Sequence, residues 1–548
     1  MQKLFFLFIL WCMCQAASAQ YPIDSSFADN GTKRIHIAYT DQAIKVALTN
    51  NNQLVLLASV GNIGAGGVFD NNAALVRLTQ DGEIDTTFGT NNSSTIFDFG
   101  NFIISEPKDM LITPDQMIWV LGQARQPDSI EYQPFCVAKF NPNGTPDTTF
   151  SNHGCVIFNF LGGTEMPARM CQQTDGKVLV WGYTLASNAG VHQDQTAIAR
   201  LNANGTLDTT FGTTGKVVFD FSNNILIYPN RYATDTTTHQ RHGYGGFFSD
   251  AIVLPNNKIL CAGGYNNGLN YQGLVMQLLP NGTFDTTYAV NGLRGISVDE
   301  GNNHYINKLL ARPDGSVLAG VHIDSQVMPR DFYLLTLDSL CIAPSINDSY
   351  DFNNNFDFIE DMIWQANNKL LCLGRSIKPI NYQTGYLSDY YALCRLNPNQ
   401  TALDTTFAQQ GKWLFAADTT RQNIAASMVL QNNEKIVILG TVFNPSASNR
   451  SDLLLVRLNN PIATQTIKPQ TANFALYPNP SAQSFVVDNP NTQNTTLYLY
   501  NTQGNLVLQQ NLPLGTNHIN INYLPNGVYV AKMISNTHYW ATKVVKID

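Results

Sequence analysis

The chain offers few groups whose types and spacing could do chemistry. His239 and His242 form a His-x-x-His pair that could hold a metal ion, but no nearby carboxylate or cysteine completes a convincing site. The neighbouring acids Asp299-Glu300 and Glu360-Asp361 could serve a glycosidase, yet any acidic turn has the same sequence. Hydrolase, zinc-protease, phosphate-loop and EF-hand motifs do not occur. We therefore predict no catalytic residue, no metal and no cofactor, and interpret the acids as solvated loop charges.

The cysteines that follow the N-terminal segment indicate buried thiols rather than disulfides. Their number is odd, none has the close spacing of a zinc or redox site, and several stand in apolar runs. They are Cys136, Cys155, Cys171, Cys261, Cys341, Cys372 and Cys394.

A repeated phrase shows how the chain is organised. Ile84-Asp85-Thr86-Thr87-Phe88 recurs, with variations, so that its aspartate stands at positions 24, 85, 147, 208, 285, 338 and 404, and the successive steps are 61, 62, 61, 77, 53 and 66 residues. A period of this length is typical of an array of supersecondary units. We expect the aspartate to accept hydrogen bonds from the following amides, and the phenylalanine to fill the gap between neighbouring sheets.

Each unit contains four short runs rich in β-formers, separated by turn residues. An Asn, Asp or Gly pair such as Asn51-Asn52 or Asp175-Gly176 recurs seven times and predicts a two-residue hairpin. Glycines at 122, 182, 263, 374 and 440 are expected to end the run after this turn, where the chain is crowded. Seven units of four strands predict an all-β fold, a seven-bladed β-propeller spanning residues 20–459, with a linear solenoid as the weaker alternative.

This pattern closely resembles the delta-60 repeat. The resemblance extends from residue 24 to about 460 and is poorest in the sixth unit. It implies a propeller in an exported bacterial protein, and it brings no assigned reaction or catalytic residue.

The C-terminal residues have a different pattern. Residues 460–473 are polar and interrupted by proline, which predicts a linker, and residues 474–548 contain short strands that predict a small Ig-like β-sandwich. They resemble the type A sorting domain of the type IX secretion system, which implies a Bacteroidota-type bacterium, the secretion machinery as partner, and passage through the periplasm to the surface or the medium. The residues that carry the resemblance are Tyr477, Pro478, Asn479, Pro480, Gly504, Asn526, Gly527, Tyr529, Lys543 and Lys546.

The N-terminus and the composition agree with export. Residues 1–19 combine Lys3, an apolar core and a small-residue cleavage pattern, as in a signal peptide. No apolar segment is long enough to predict a transmembrane span. Only 13% of the residues are charged and the formal net charge is -8, so nothing favours nucleic acid as a partner.

The fourth unit is longer than its neighbours, and we place ligand recognition in its extra residues. The excess lies between its first two runs, roughly 225–248, and is rich in aromatic residues, arginine and histidine. Insertions within repeats form loops on one face, and such loops suit contact with a glycan or a protein, although packing over a strand edge is an equal alternative. The candidate binding residues are Tyr228, Arg231, Tyr232, His239, Arg241, His242 and Tyr244.

Three functions are compatible with this fold. The first is a secreted or surface-displayed binding or adhesion protein, which the missing catalytic constellation favours. The alternatives are an extracellular enzyme acting on polysaccharide, either a lyase or a glycosidase, and a structural component of the surface or matrix.

Overall fold

The computed structural model describes two compact units, Met1–Asn460 and Pro461–Asp548. Each has its own hydrophobic core. Description covers residues 23–548 except 64–68, 92, 101–103, 126–132, 152–153, 163, 189–190, 220–245, 267–269, 290, 299–301, 313, 325–330, 339–340, 342–344, 379–387, 418–421, 444–449, 461–475, 490–494, 502–505 and 535–538.

The described part of the first unit contains seven consecutive sets of four antiparallel strands and no helix. Sets 1 to 3 are β2 (Thr40–Leu48), β3 (Leu54–Ile63), β4 (Phe69–Leu78) and β5 (Ser94–Phe97); β6 (Ile104–Ile112), β7 (Ile118–Arg125), β8 (Phe135–Phe140) and β9 (Cys155–Phe158); and β10 (Glu165–Gln172), β11 (Val178–Asn188), β12 (Val191–Leu201) and β13 (Lys216–Phe219). Sets 4 and 5 are β14 (Gly246–Val253), β15 (Ile259–Asn266), β16 (Tyr271–Leu278) and β17 (Leu293–Ile296); and β18 (Asn303–Ala311), β19 (Val317–Asp324), β20 (Phe332–Leu337) and β21 (Ser345–Tyr350). Sets 6 and 7 are β22 (Phe356–Trp364), β23 (Leu370–Lys378), β24 (Ser388–Leu396) and β25 (Lys412–Phe415); and β26 (Asn423–Leu430), β27 (Ile436–Phe443), β28 (Ser451–Leu458) and β1 (Thr32–Ile35).

The fourth strand of set 7 comes from the other end of the repeats. β1 pairs antiparallel with β28, with Thr32 opposite Val456. A single parallel pair, Thr40 with Ser451, joins set 7 to set 1. The first described strand and the last set are therefore held together by backbone hydrogen bonds, which sequence periodicity alone did not reveal.

Hydrophobic side chains lie between the sets rather than on one side of them. In β3, Leu54 and Leu56 belong to a cluster shared with set 7, whereas Val55 and Leu57 belong to one shared with set 2. The same holds for the other neighbouring sets. Both faces of a middle strand are buried, which explains its continuous apolar sequence. Neighbouring sets therefore bury one another's faces.

The predicted hairpin turns are present, but their loops are one residue longer than predicted. Thr49 and Gln53 close a loop of three residues, not two, and Asn52 has a positive φ of 63°. Positive φ recurs at the equivalent position of the other sets, at Gln116, Gly176, Asn257, Gly315, Asn368 and Glu434. The sevenfold turn is thus confirmed, with its strained position at the third loop residue.

The glycines predicted to end the second strands lie inside them instead. Each faces a β-bulge in the first strand of its set, as Gly263 faces the register shift between Phe248 and Asp250. A Cβ on Gly263 would lie 1.9 Å from the carbonyl oxygen of Phe247. The expected crowding is real, but it comes from the bulge, and the strand continues past the glycine.

The repeated phrase forms a network of hydrogen bonds, ion pairs and ring contacts, which we call the joint, within its own set and with the next set. Asp208 accepts the Thr210 N–H at 3.1 Å and its hydroxyl at 2.8 Å through Oδ1, while Oδ2 accepts Arg200 Nε at 2.7 Å and Lys177 Nζ at 2.8 Å. The Phe211 ring lies under Arg200, 4.8 Å away, and against Gly282 of the next set. Both expectations for the phrase are confirmed, and the cations complete the joint. Equivalent pairs are Asp24 with Arg457 and Lys435, Asp85 with Arg77, Asp147 with Lys139, Asp285 with Lys258, and Asp404 with Arg395 and Lys369.

All seven cysteines named above are free, and five of them are buried, as the sequence predicted. Burial raises the pKa of the Cys261 thiol well above its ordinary value. The buried thiols therefore act as small apolar side chains.

The second unit contains two antiparallel sheets that share one hydrophobic cluster. Their strands are β29 (Leu476–Tyr477), β30 (Ser484–Asn489) and β33 (Gly515–Asn520) in one sheet, and β32 (Leu506–Leu512), β31 (Thr495–Tyr500), β34 (Gly527–Ile534) and β35 (Tyr539–Lys546) in the other. Phe485 of the first sheet and Leu497 of the second are both fully buried in that cluster.

Candidate functional site

The residues predicted to bind a ligand, Tyr228, Arg231, Tyr232, His239, Arg241, His242 and Tyr244, lie outside the described residues. Their role stays a prediction. Two aromatic residues directly after them are described. Phe248 is 1% exposed and belongs to the core between sets 3 and 4, whereas Phe247 is half-buried.

The sets have two different ends. The three-residue hairpins and the Asp-Thr-Thr phrases lie at one end, which we call the repeat face. The connections from second to third strands and from each set to the next lie at the other end, the variable face, because neighbouring strands are antiparallel. Set-to-set connections range from the four residues 36–39 to the 26 residues 220–245, which separate β13 from β14. Ligand specificity in a repeat fold is carried by such variable connections.

A buried polar side chain near the start of nearly every first strand holds the preceding connection. Asp357 Oδ2 accepts the Phe352 N–H at 2.6 Å, and Asp41 accepts those of Ile37 and Ala38 at 2.7 and 2.9 Å. Six of the seven described first strands have such an anchor at the same register, the full set being Asp41, Ser105, Glu165, His304, Asp357 and Asn423. Burial raises the pKa of Asp41 to about 6 and that of Asp357 to about 7.

A belt of alternating charge follows the bulges of the first strands. Its members, one from each set in order, are Lys45, Asp109, Arg169, Asp250, Lys308, Asp361 and Ser427. Asp109 lies 3.6 Å from Lys45 and 3.9 Å from Arg169, and Lys308 lies 3.7 Å from Asp250 and 3.6 Å from Asp361. Seven positions cannot alternate completely, and the neutral Ser427 separates Asp361 from Lys45.

Each belt aspartate also reaches the next set. Asp109 accepts the Met170 N–H at 2.9 Å, Asp250 accepts the Leu309 N–H at 2.9 Å, and Asp361 accepts that of Met428 at 3.1 Å. Although burial opposes ionisation, Lys308 and its cationic neighbours lower the pKa of Asp361. The belt is therefore a balanced set of charges that fastens neighbouring sets.

The belt overturns one interpretation of the sequence. Glu360 and Asp361 are not solvated loop charges, because they lie in β22 at its bulge. Asp361 belongs to the belt, and Glu360 pairs with Arg375 at 3.0 Å. Both carboxylates have protein cations as partners, which is the arrangement of structural ion pairs. Asp299 and Glu300 are not among the described residues.

An aromatic row crosses sets 3 to 6 near the variable face. We define it by Tyr183, Phe247, Tyr305, His322 and Phe358, whose successive ring centroids are 6.2, 5.4, 4.6 and 4.5 Å apart. His322 is stacked between Tyr305 and Phe358 with interplanar angles of 16° and 17°. All but Phe358 are half-buried, so the row keeps part of its ring surface accessible. Phe247, Tyr305 and Phe358 directly follow anchor positions, and this register could have been found by aligning the repeats.

Two clusters of possible metal ligands also lie on the variable face. His36, Asp41 and Asp452 meet where β1, β2 and β28 come together, and His36 Nδ1 lies 2.9 Å from Asp452 Oδ1. Asp331, Asp351 and Asp357 meet between sets 5 and 6. Within each cluster the candidate ligand atoms lie within 4.8 Å of one another. The predicted pair His239 and His242 lies outside the described residues.

In the second unit, separated parts of the predicted sorting signal meet around β35. Asn479 Nδ2 donates to the Lys543 carbonyl at 2.6 Å, and Lys546 Nζ donates to Asn526 Oδ1 at 3.3 Å. The Tyr529 hydroxyl donates to the Pro525 carbonyl at 2.6 Å.

The remaining sorting residues differ in exposure. Tyr477 is 49% exposed. Pro478 and Pro480 are exposed, Gly527 is half-buried at the start of β34, and Gly504 lies outside the described residues. The part of the chain that the structure describes contains no helix that could cross a membrane.

Comparison with known proteins gives two family matches. Residues 475–547 match the secretion system C-terminal sorting domain, and residues 61–88, 133–150, 173–211 and 254–288 match the domain of unknown function DUF5122 β-propeller. No curated protein matches the sequence significantly.

Several solved structures match the chain at low identity. PorZ, a surface component of the type IX secretion system of Porphyromonas gingivalis, is 10% identical with a TM-score of 0.31, over 93% of this chain and 70% of that one. A Dyadobacter fermentans protein of unknown function is 12% identical with a TM-score of 0.37, over 78% and 99%. The polysaccharide lyase Uly1 is 8% identical with a TM-score of 0.43, over 80% and 95%. The family matches therefore identify DUF5122 β-propeller repeats within residues 61–288 and a type IX C-terminal sorting domain at residues 475–547.

Proposed function

We propose that this protein is a non-catalytic binding module, exported by the type IX system and displayed on or released from the cell surface of a Bacteroidota-type bacterium. Residues 1–19 are its signal peptide, 20–459 a closed seven-bladed propeller, 460–473 a linker and 474–548 an Ig-like sorting domain. The ring of shared cores and the pairing of β1 with β28 support the propeller. The family match at residues 475–547 supports the export route.

The aromatic row carries the binding proposal. Partly exposed rings stack on the apolar faces of sugars, and aromatic residues dominate binding surfaces because they bury a large area with little loss of entropy. Tyr305 and Phe247 lie on first strands, which the bulges, cores and belt hold in place, so the row is a rigid platform. Phe247 follows residues 220–245 closely in the sequence, where the predicted ligand-binding residues stand. A glycan is therefore the favoured ligand.

Glycan-array binding by the mature chain tests this function. We expect wild-type protein to bind at least one glycan class, and Phe247→Ala combined with Tyr305→Ala to weaken that binding at least tenfold. Trp413→Ala is the matched control, because Trp413 is a half-buried aromatic residue stacked on Phe415 in the outer strand β25. Its binding should be unchanged.

Three results would point elsewhere. Loss of binding only in a Tyr232, Arg241 and Tyr244 triple alanine variant would move the site into residues 220–245. Product release in parallel turnover assays on polysaccharides would favour the lyase or glycosidase alternative. Absence of binding to glycan and protein arrays, with no turnover, would favour a structural role.

Deletion of residues 474–548 tests the export route separately. If these residues are the sorting signal, the truncated protein should accumulate in the periplasm, as detected by immunoblotting of cell fractions. Normal amounts of it at the surface or in the medium would contradict the assignment.

A further inference from the structure

A second site on the variable face is independent of glycan binding. It lies between sets 5 and 6, where Asp331 precedes β20, Asp351 follows β21, and Asp357 lies near the start of β22. One oxygen of each carboxylate lies within 4.8 Å of the others. Two oxygens bound to one calcium ion at about 2.4 Å are at most about 4.8 Å apart, so the carboxylates meet the spacing limit for a shared ion.

Asp357 adds an observation that its role as an anchor does not explain. Its side chain is 2% exposed, and Oδ2 accepts the Phe352 N–H at 2.6 Å. Oδ1 is buried and lacks a hydrogen-bond donor within 3.5 Å among the described residues, with the Ser376 hydroxyl as its nearby polar neighbour. A buried carboxylate oxygen without a donor is costly, and a bound cation removes that cost.

The charged groups around the three aspartates do not balance one another. Asp351 Oδ1 accepts the Asn354 N–H at 2.7 Å. The nearby cation Lys412 donates to the backbone carbonyl of Asp351 at 2.5 Å and lies over the Phe352 ring. Three carboxylates face one lysine, and a divalent cation can offset this excess of acidic groups.

The equivalent anchor in set 1 offers an internal contrast. Asp41 also has an acidic neighbour, Asp452, but there the protein itself places Arg34 and His36 beside that carboxylate. His36 lies 2.9 Å from Asp452, Arg34 lies 3.6 Å from Asp452, and both Asp41 oxygens accept backbone N–H groups. The set 1 cluster is internally compensated, whereas the cluster around Asp357 is not.

We propose that Asp331, Asp351 and Asp357 bind a divalent cation, with calcium preferred, which holds the connection 351–355 between sets 5 and 6. Carboxylate oxygens are the ligands that hard cations prefer, and half-buried Asp331 and Asp351 leave the site accessible from solvent. Calcium sites of extracellular modules have Kd values on the order of 10⁻⁴–10⁻³ M, which suits an exported protein.

Calcium titration of the mature chain, stripped with EDTA, tests the site. We expect isothermal calorimetry to show one site, with calcium binding more tightly than magnesium. At a calcium concentration 100 times the Kd, Tm should rise by about 3 °C for a domain of this size. The double variant Asp331→Asn with Asp351→Asn should lose both signals, while its Tm in EDTA stays at or above the wild-type value because carboxylate repulsion is removed.

Control variants make each outcome decisive. Asp452→Asn changes the compensated cluster and should keep wild-type calcium binding. The single variants Asp331→Asn and Asp351→Asn should each weaken calcium affinity about tenfold, which provides the comparison if the double variant does not fold. Absence of calcium, magnesium and manganese binding by wild-type protein would overturn the proposal, as would unchanged calcium binding by the single variants.

Discussion

Replacing Asp404 by Asn should destabilise the repeat unit far more than the same change at Asp285. Both aspartates stand in the repeated phrase and are 3% exposed. Asp404 Oδ2 accepts Arg395 Nε at 2.7 Å and Lys369 Nζ at 2.6 Å, whereas Asp285 has only Lys258, at 2.6 Å, because Gln277 occupies the position equivalent to Arg395. The two sites therefore differ mainly in one buried guanidinium.

The magnitude follows from what each change leaves behind. Arg395 is fully buried and would lose its charged partner, although Asn460 Oδ1 still accepts from Nη1 at 2.6 Å. Leaving a buried charge without its partner costs about 3–5 kcal/mol. The Lys258 side chain is 28% exposed and can turn towards water, so Asp285→Asn should cost about 1 kcal/mol.

Urea unfolding of the mature chain, followed by tryptophan fluorescence, measures this difference. We expect the Asp404→Asn midpoint to fall well below that of Asp285→Asn, with a gap of about 2–4 kcal/mol in the free energy of unfolding. Equal losses would refute the reasoning, because they would show that the phrase works through its own turn and not through the cation. Arg395→Met in the Asp404→Asn background should recover part of the loss, since it removes the unpaired charge.

Three further predictions follow from the same contacts. Burial alone would raise the pKa of Asp404, but Lys369, Thr406 and Arg395 lower it to about 2. The ionised Asp404 therefore stabilises the fold fully above the unfolded-state pKa near 4, and this stabilisation is lost as the pH falls to about 2. Acid titration of Tm should show this loss in wild type and less of it in Asp404→Asn. Burial raises the pKa of Asp41 to about 6, so it destabilises increasingly between about pH 4 and 6, and Asp41→Asn should flatten that decline in a urea series over pH. In the belt, both Ser427→Asp and Ser427→Lys should lower Tm by scanning calorimetry while Ser427→Ala has little effect. Ser427 is 1% exposed, so burial penalises a charge there, and its attraction to one of Asp361 and Lys45 is offset by repulsion from the other; an increase for either charged variant would contradict the belt.

The sequence predicted what every repeat needs for itself. The turn at Asn52 and the hydrogen bonds of Asp208 to Thr210 lie within a few residues, so their chemistry is visible in one unit. The cations of the joint could not be assigned, because Lys177 and Arg200 come from other strands of the set. Pairing of distant segments depends on register, and register is set only when the sheet forms.

The belt was missed for a different reason. Its residues are separated by variable numbers of residues, since the connection before β14 is so much longer than the others. Aligning the repeats on their bulges, rather than on the phrase, reveals the alternation from Lys45 to Asp361. The ligand, by contrast, cannot be predicted from the repeat period, because recognition uses the positions at which the repeats differ.

This division explains why a strongly repetitive chain can serve a specific purpose. The repeat face uses the same aspartate, cation and phenylalanine in nearly every set, and these contacts hold neighbouring sets together. The variable face holds the anchors, the aromatic row and the acidic clusters, each of which includes residues of the first strands. A substitution there changes one connection without weakening the shared cores between sets. Differences among sets at the anchor register and its following residue are therefore where specificity should be sought.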